Sequence, residues 1–409
     1  MPLTNTNSSY GGIAKTFHWL TALLILAALP LGWAANNLAH AIYDPAIPSS
    51  EADFVQAYRL FSMHKTVGVT IFFVALARIL WAFTQTKPGL LNADNKPEAF
   101  AAEVVHWLLY GSLVLVPLTG WIHHAATEGF APIQWPFGQN LPLVPKSPVV
   151  AEAAAGLHWV FMWVLVGALA LHILGALKHH VIDKDSTLRR MLPGHSEAPE
   201  PPEQRHSLTP AIAAGVVWAS ALVGGWYIGA YSDHSAGPDS AALDQVQSDW
   251  QVENGTLSIT VTQLGNPVTG QFADWTAAII FDEPTQPGPA GSIDVTISIG
   301  SLSLGTVTDQ AKGADFFDAA QFPTARFSGE LFKTESGYEA RGPLTIRDKS
   351  LEIILQFTLD TENDTAEMNG SVELNRLDFD IGKSMPQEDS LAFSVKVNVE
   401  LTAAQSQGQ

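Results

Sequence analysis

Cysteine is missing altogether from these 409 residues. Its absence excludes structural disulfides, thiol catalysis, thiolate zinc or iron–sulfur sites and a covalently attached c-type haem. Basic residues are scarce in the second part of the chain. Residues 232–409 hold 9 Lys and Arg against 27 Asp and Glu, whereas residues 1–231 hold 12 against 13. The net charge of −19 therefore belongs almost wholly to the C-terminal part. So acidic a surface repels polyanions and argues against nucleic acid as a partner. Histidine is absent beyond His234, so all 13 fall within the first 234 residues. The opening "MPLTNTNSSYGGIAK" is polar and no small-residue cleavage site follows it, so no secretory leader is expected.

What the first part has is apolar length. Five segments, about Thr16–Asn36, Ser62–Phe83, Ala102–His124, Ala151–Lys178 and Thr209–Tyr231, can each span a hydrocarbon core of roughly 30 Å. Trp33, Trp81, Trp121, Trp226 and Tyr231 stand near their ends, where interfacial aromatics belong. Lys15, Arg78, Lys87, Lys96, Lys178, Lys184, Arg189, Arg190 and Arg205 fall on one side, and Arg59, Lys65 and Lys146 on the other. The positive-inside rule then places the N-terminus in the cytoplasm and everything after the fifth helix outside.

"SEAPEPPEQRHS", between the fourth and fifth segments, has linker composition. The fifth segment carries no ionisable residue and reads as a tether, although its Gly and Ala residues also suit helix packing. From about Gln247 the pattern alternates in polarity. "TLSITV", "SIDVTISIGSLSL", "ARFSGELF", "LEIILQFTL", "GSVELNRLDFDI" and "AFSVKVNVEL" read as half-buried strands. Seven or eight antiparallel strands predict a sandwich or a small closed barrel, and a barrel of about eight strands holds one ligand.

A lone histidine in a membrane helix is often an interhelical hydrogen bonder, so the case for a site rests on several positions agreeing. His158 and His172 are 14 residues apart, which puts them on one helix face with a rise of about 21 Å. With alternating helix directions, His18 in "FHWL" reaches the level of His172, and His64 in "MHKTVG" that of His158. Each level offers two imidazoles with no nearby Asp, Glu or Cys to complete a tetrahedral zinc site. Two axial imidazoles suffice for haem, because the porphyrin supplies four nitrogens. His106, at the level of His18 and His172, competes with them as a ligand and otherwise lies beside the haem or at a quinone site. His123 and His124 are expected to be solvated, as are His179 and His180 unless they touch a haem propionate. His40, His195, His206 and His234 fall in expected loops.

The motifs "FHWL", "MHKTVG", "HWLLYGSLVLVPLTGW", the 14-residue histidine spacing and "KHHVIDKDSTLRRMLPG" together resemble the bacterial cytochrome b561 family over about the first 195 residues. The resemblance implies a four-helix membrane domain with two b-type haems on His18, His64, His158 and His172, exchanging electrons with membrane quinone. Some members oxidise superoxide and pass the electron to ubiquinone; others are cytochrome subunits of dehydrogenases or hydrogenases.

"GADFFDAAQFPTARFSG", "GPLTIRDKSLEI" and "LNRLDFDIG", in that order, resemble the YceI-like family over about residues 247–404. Those are lipocalin-like periplasmic barrels that bind polyisoprenoid chains, including the ubiquinone tail. The chain departs from the family in reading "VENGTLSI" where a His-Ser pair is usual, and in lacking an Arg in "TDQAKGADFFD".

The expected architecture is a multidomain chain. An α-helical transmembrane domain (1–195) leads into a linker with a fifth helix at about 209–231 (196–246), and then an all-β, lipocalin-like antiparallel barrel (247–404). The expected protein is a multi-pass protein of the bacterial inner membrane with its barrel in the periplasm. It is a quinone-linked oxidoreductase moving electrons between a periplasmic donor, superoxide first by resemblance, and ubiquinone. The alternatives are an isoprenoid or quinone carrier or sensor on a membrane anchor, and a cytochrome subunit of a larger dehydrogenase complex.

Overall fold

Long apolar runs demand helices, because a backbone in lipid must satisfy its own hydrogen bonds. The computed structural model describes residues 2–43, 50–127, 131–194, 199–202, 207–231, 243, 246, 248–362 and 364–405. The chain divides into two compact units, one built on helices and one on a sheet.

The helical unit contains α1 (Gly12–Tyr43), α2 (Glu51–Phe83), α3 (Lys96–Ala126), α4 (Pro148–Lys178) and α5 (Thr209–Tyr227), each long and apolar enough to cross a membrane. Leu23, Leu26, Leu80 and Leu171 point outward and stay exposed, as lipid-facing side chains should. Four of the helices run past the apolar segments read from sequence. His40 consequently lies in the last turn of α1 rather than in a loop. His195, His206 and His234 lie outside the described residues.

The fifth helix is more than a tether. Ala214 is fully buried beside Leu108 of α3 and Ala168 of α4. The Trp218 ring lies against Gly111, where any Cβ would collide with it. Small residues let backbones approach this closely, which is how helices associate without a hydrophobic driving force.

One end of the helical unit is closed by local segments. Lys15 Nζ donates to the carbonyls of Leu192 and Gly194 (2.9 Å each), and Trp19 Nε1 to that of Met191 (2.8 Å). At the other end residues 131–147 fold back over α3. Ile133 and Trp135 pack on Trp121, and Ser147 N–H donates to the Ala126 carbonyl.

The second unit is a curled antiparallel sheet of ten strands in the order β3-β4-β6-β7-β8-β9-β10-β1-β2-β5. They are β1 (Trp250–Gln263), β2 (Asn266–Phe272), β3 (Trp275–Phe281), β4 (Gly288–Ser298), β5 (Leu302–Ser303), β6 (Thr324–Lys333), β7 (Tyr338–Ile346), β8 (Lys349–Glu362), β9 (Thr365–Asn375) and β10 (Leu391–Gln405). The curl brings β3 to the start of β1, where Asp249 N–H donates to the Ile279 carbonyl (3.1 Å). Along β8, Leu351, Ile353, Leu355 and Phe357 turn inward while Ile354 faces out. This alternation fixes the register, since a one-residue slip would reverse every side chain. Leu264 and Gly265, both at positive φ (49° and 77°), make the two-residue turn that joins β1 to β2.

The sheet has more strands than the seven or eight expected. "SIDVTISIGSLSL" is not one strand: a 3₁₀ turn at Ile299–Ser301 breaks it, and Ile299 is buried inside that turn. "GSVELNRLDFDI" likewise ends as a strand at Asn375 and continues as a turn over Arg376–Phe379.

Candidate functional site

Two groups of histidines face one another between helices. At the end closed by residues 186–194, the ring centres of His18 (α1) and His172 (α4) are 6.1 Å apart. At the opposite level, those of His64 (α2) and His158 (α4) are 6.2 Å apart at a right angle. Two imidazoles bound to one iron have ring centres a little over 6 Å apart, about 2 Å per metal–nitrogen bond plus about 1 Å from nitrogen to ring centre. Both pairs fit that span. His106 (α3) lies 5.3 Å from His172, so three imidazoles gather at this level.

The pair at His64 and His158 is oriented from behind. His64 Nδ1 is 3.0 Å from the Ala28 carbonyl, and His158 Nδ1 is 2.8 Å from that of Val116. These bonds fix the tautomer and leave each Nε2 free as a ligand atom. Glycine makes the room. A Cβ on Gly32 would lie 2.7 Å from His64 Cε1, and one on Gly120 would lie 2.9 Å from His158 Nδ1.

Several expectations for the neighbouring residues are corrected. His124 is 4% exposed, with Nδ1 3.3 Å from Lys65 Nζ and Nε2 3.0 Å from Gln139 Oε1. His123 Nδ1 bonds the Ala151 carbonyl (2.9 Å). The folded-back segment 131–147 covers His124 through Gln139, while His123 is half-buried. His179 is buried as well, with Nδ1 2.6 Å from Asp185, while His180 is exposed. Burial raises the Asp185 pKa, but hydrogen bonds from Thr187 and His179 outweigh it and hold the carboxyl below its usual range. Lys65 donates to the Ala131 carbonyl (2.8 Å), so this cation is engaged within the fold.

Among the described residues, one group of three metal-ligating side chains gathers: Glu98, His179 and Asp183. Lys178 bonds both of its carboxylates (2.5 and 2.8 Å), which supplies the positive charge a metal would bring.

The sheet unit encloses a cavity of about 250 Å³. Its wall is aliphatic and aromatic, from Phe272, Phe316, Phe327, Leu355, Phe357 and others, with Gln263, Gln310 and Arg376 among the few polar contributors. Arg376 is 3% exposed and spends all three nitrogens on the carbonyls of Ala392, Ile381, Gly382, Met385 and Leu391. The cavity therefore offers apolar surface without a free charge.

These features define a membrane-spanning protein with stacked histidine pairs, joined to an apolar-cored β domain. Residues 9–194 match the family of prokaryotic cytochrome b561, and residues 244–403 the YceI-like domain. The first match is 30% identical over 193 residues to cytochrome b561 homolog 2 of Escherichia coli (strain K12), covering 47% of this chain and 95% of that protein. A protein of Yersinia pestis named probable superoxide oxidase CybB is 25% identical over 188 residues, 46% of this chain and 97% of that one. Crystal structures of Burkholderia cenocepacia BcnA (27% identity, 37% and 96% coverage, TM-score 0.34) and of a Campylobacter jejuni YCEI protein (21%, 43% and 98%, 0.31) resemble the second part. The chain belongs to the cytochrome b561 family and carries a YceI-like domain behind it. Membership implies haem b and a redox role in the membrane.

Proposed function

We propose that residues 1–195 are a dihaem b-type cytochrome, with one haem b on His18 and His172 and the other on His64 and His158. It moves electrons between a donor on the His64–His158 side and ubiquinone. In this reading the protein lies in the bacterial inner membrane, with its N-terminus cytoplasmic and the sheet domain periplasmic. Residues 196–246 are the linker carrying the fifth helix, and residues 247–404 bind the isoprenoid tail of a quinone or lipid. Superoxide is the first donor to try, given the name of the Yersinia relative.

The observation that carries the reading is the pair of imidazole gaps, 6.1 and 6.2 Å, both anchored on α4. Haem b, when bound, supplies a one-electron iron couple. The protein supplies the axial nitrogens, the carbonyls that orient His64 and His158, and the glycines that leave space for those rings. Gly120→Val should push the His158 ring from its seat and lose haem at that level alone. The pyridine haemochrome content should then fall from about two to about one per chain, and an unchanged content would count against the seat.

The test of the whole reading is a reduced-minus-oxidised spectrum of the purified protein with haem quantified per chain. Close to two b-type haems, reoxidised by added ubiquinone, is the expected result. Protein without haem, after expression with ample haem supply, would sink it and favour the carrier. That second reading is favoured by the cavity: solvent extraction of the purified protein would then release an isoprenoid lipid. A cytochrome subunit of a larger complex would instead co-purify with a catalytic partner.

A further inference from the structure

Arg190, in the "TLRRM" run after α4, is 3% exposed. Its Nη1 donates to the Gly89 carbonyl (2.8 Å), but Nε and Nη2 have no hydrogen-bond partner. Such a buried, half-orphaned guanidinium is costly, because an arginine in a protein stays charged and each unmet N–H keeps its desolvation penalty. Asp185 acts on it electrostatically, yet that carboxylate is already taken by His179 Nδ1 (2.6 Å) and the Thr187 N–H (2.7 Å). Burial lowers the Arg190 pKa more than Tyr10 and Asp185 raise it.

The two orphan nitrogens are not a random pair. Nε and Nη2 form one edge of the guanidinium, the edge that takes a carboxylate through two parallel bonds. Arg326 uses the same two atoms in this chain to hold Asp294 (Nε–Oδ1 3.0 Å, Nη2–Oδ2 2.6 Å). The vacant edge of Arg190 is therefore shaped for a carboxylate that the described residues do not provide.

Its surroundings lead to the histidines. The guanidinium carbon lies 5.6 Å from the Tyr10 ring centre, and that of Arg78 lies 5.3 Å from the Tyr110 ring centre. Trp19, the residue after His18, donates its Nε1 to the carbonyl of Met191, the residue after Arg190 (2.8 Å). The segment that carries Arg190 is thus bonded to α1 one residue from His18, a member of the first imidazole pair.

We propose that the free edge of Arg190 seats a propionate carboxylate of the haem held by His18 and His172. The inference rests on the dihaem reading above. A propionate satisfied by Arg190 is neutralised. Left bare, its negative charge favours the oxidised iron.

The test is a redox titration of the purified holoprotein, with resonance Raman spectra of the propionate bending modes, for wild type, Arg190→Gln and Arg190→Lys. Arg190→Gln should keep both haems. It should shift one of them about tenfold toward the oxidised form, ~59 mV for a one-electron couple, and leave the other unmoved. Arg190→Lys keeps the charge but not the two-bond edge, so its potential should stay near wild type while the propionate band moves. If Arg190→Gln loses a haem outright, the lysine variant decides by its band. An unmoved propionate band in both variants overturns the proposal. So does an equal shift of both haems, or loss of a co-purifying anionic lipid with the band unchanged. Wild-type protein with fewer than two haems counts against the dihaem reading. Two haems indifferent to residue 190 count against this inference alone.

Discussion

If the protein is the dihaem cytochrome proposed, His158→Ala should leave one haem b per chain instead of two. His158 has one nitrogen to offer, since its Nδ1 is spent on the Val116 carbonyl and Gly120 lies against the same side of the ring. His64 alone, held through Nδ1 by Ala28, supplies a single axial ligand. The pair at His18 and His172 lies about 21 Å along the helix and keeps its own contacts. Reduction by a donor on the His64–His158 side should then slow by more than about a hundredfold, beyond what loss of a supporting hydrogen bond costs at a metal site. Stopped-flow reduction and the haem content of the mutant are the measurements. A variant that retained two haems and its rate would remove His158 from the site.

Arg376→Met has the largest expected effect on stability. The side chain is inside the sheet unit and holds five backbone carbonyls at 2.5 to 3.1 Å, four of them in residues 381–391, between β9 and β10. Methionine fills similar space but leaves those carbonyls without a donor. Bonds from a charged donor are worth roughly 1.5–3 kcal/mol each, and water will recover some of them. A loss of at least about 4 kcal/mol is expected, at the upper end for single substitutions. Thermal unfolding of the full chain in detergent, followed by the strand signal in circular dichroism, should show the β transition far lower. Proteolysis should cut first within residues 381–391. A change under about 1 kcal/mol would mean that these carbonyls are satisfied in another way.

The closeness of His18 to His172 and of His64 to His158 was legible because it depends on two regular quantities, the helical repeat and the alternation of helix direction. The burial of His124 and His179 was not. Each sits at a helix end, and its environment is decided by a connecting segment, 131–147 for one and 184–194 for the other. Irregular segments carry no periodicity that says where they fold back. The strand pattern was readable where polarity alternates, as in β8 and β10. It failed at Ile299, whose apolar side chain continues the alternation although the backbone has turned. Strand β7 went unread because its sequence, "YEARGPLTI", carries Gly342 and Pro343, residues depleted in strands. Arg376 and Arg190 were invisible as functional positions for one reason. The partners each finds within the chain are main-chain carbonyls, which every residue has, and the sequence cannot show that Arg190 is left with two nitrogens over.

Because α4 contributes one histidine to each pair, the interval between the pairs, and between the two haems of the proposed reading, is set by a hydrogen-bonded rod, not by the membrane. Bilayers differ in thickness by several ångströms, and helices answer by tilting. Tilting a rod changes its angle to the surface and leaves its length alone. An electron path between the two pairs, as proposed, would consequently be insulated from lipid composition, whatever the depth at which either end comes to rest.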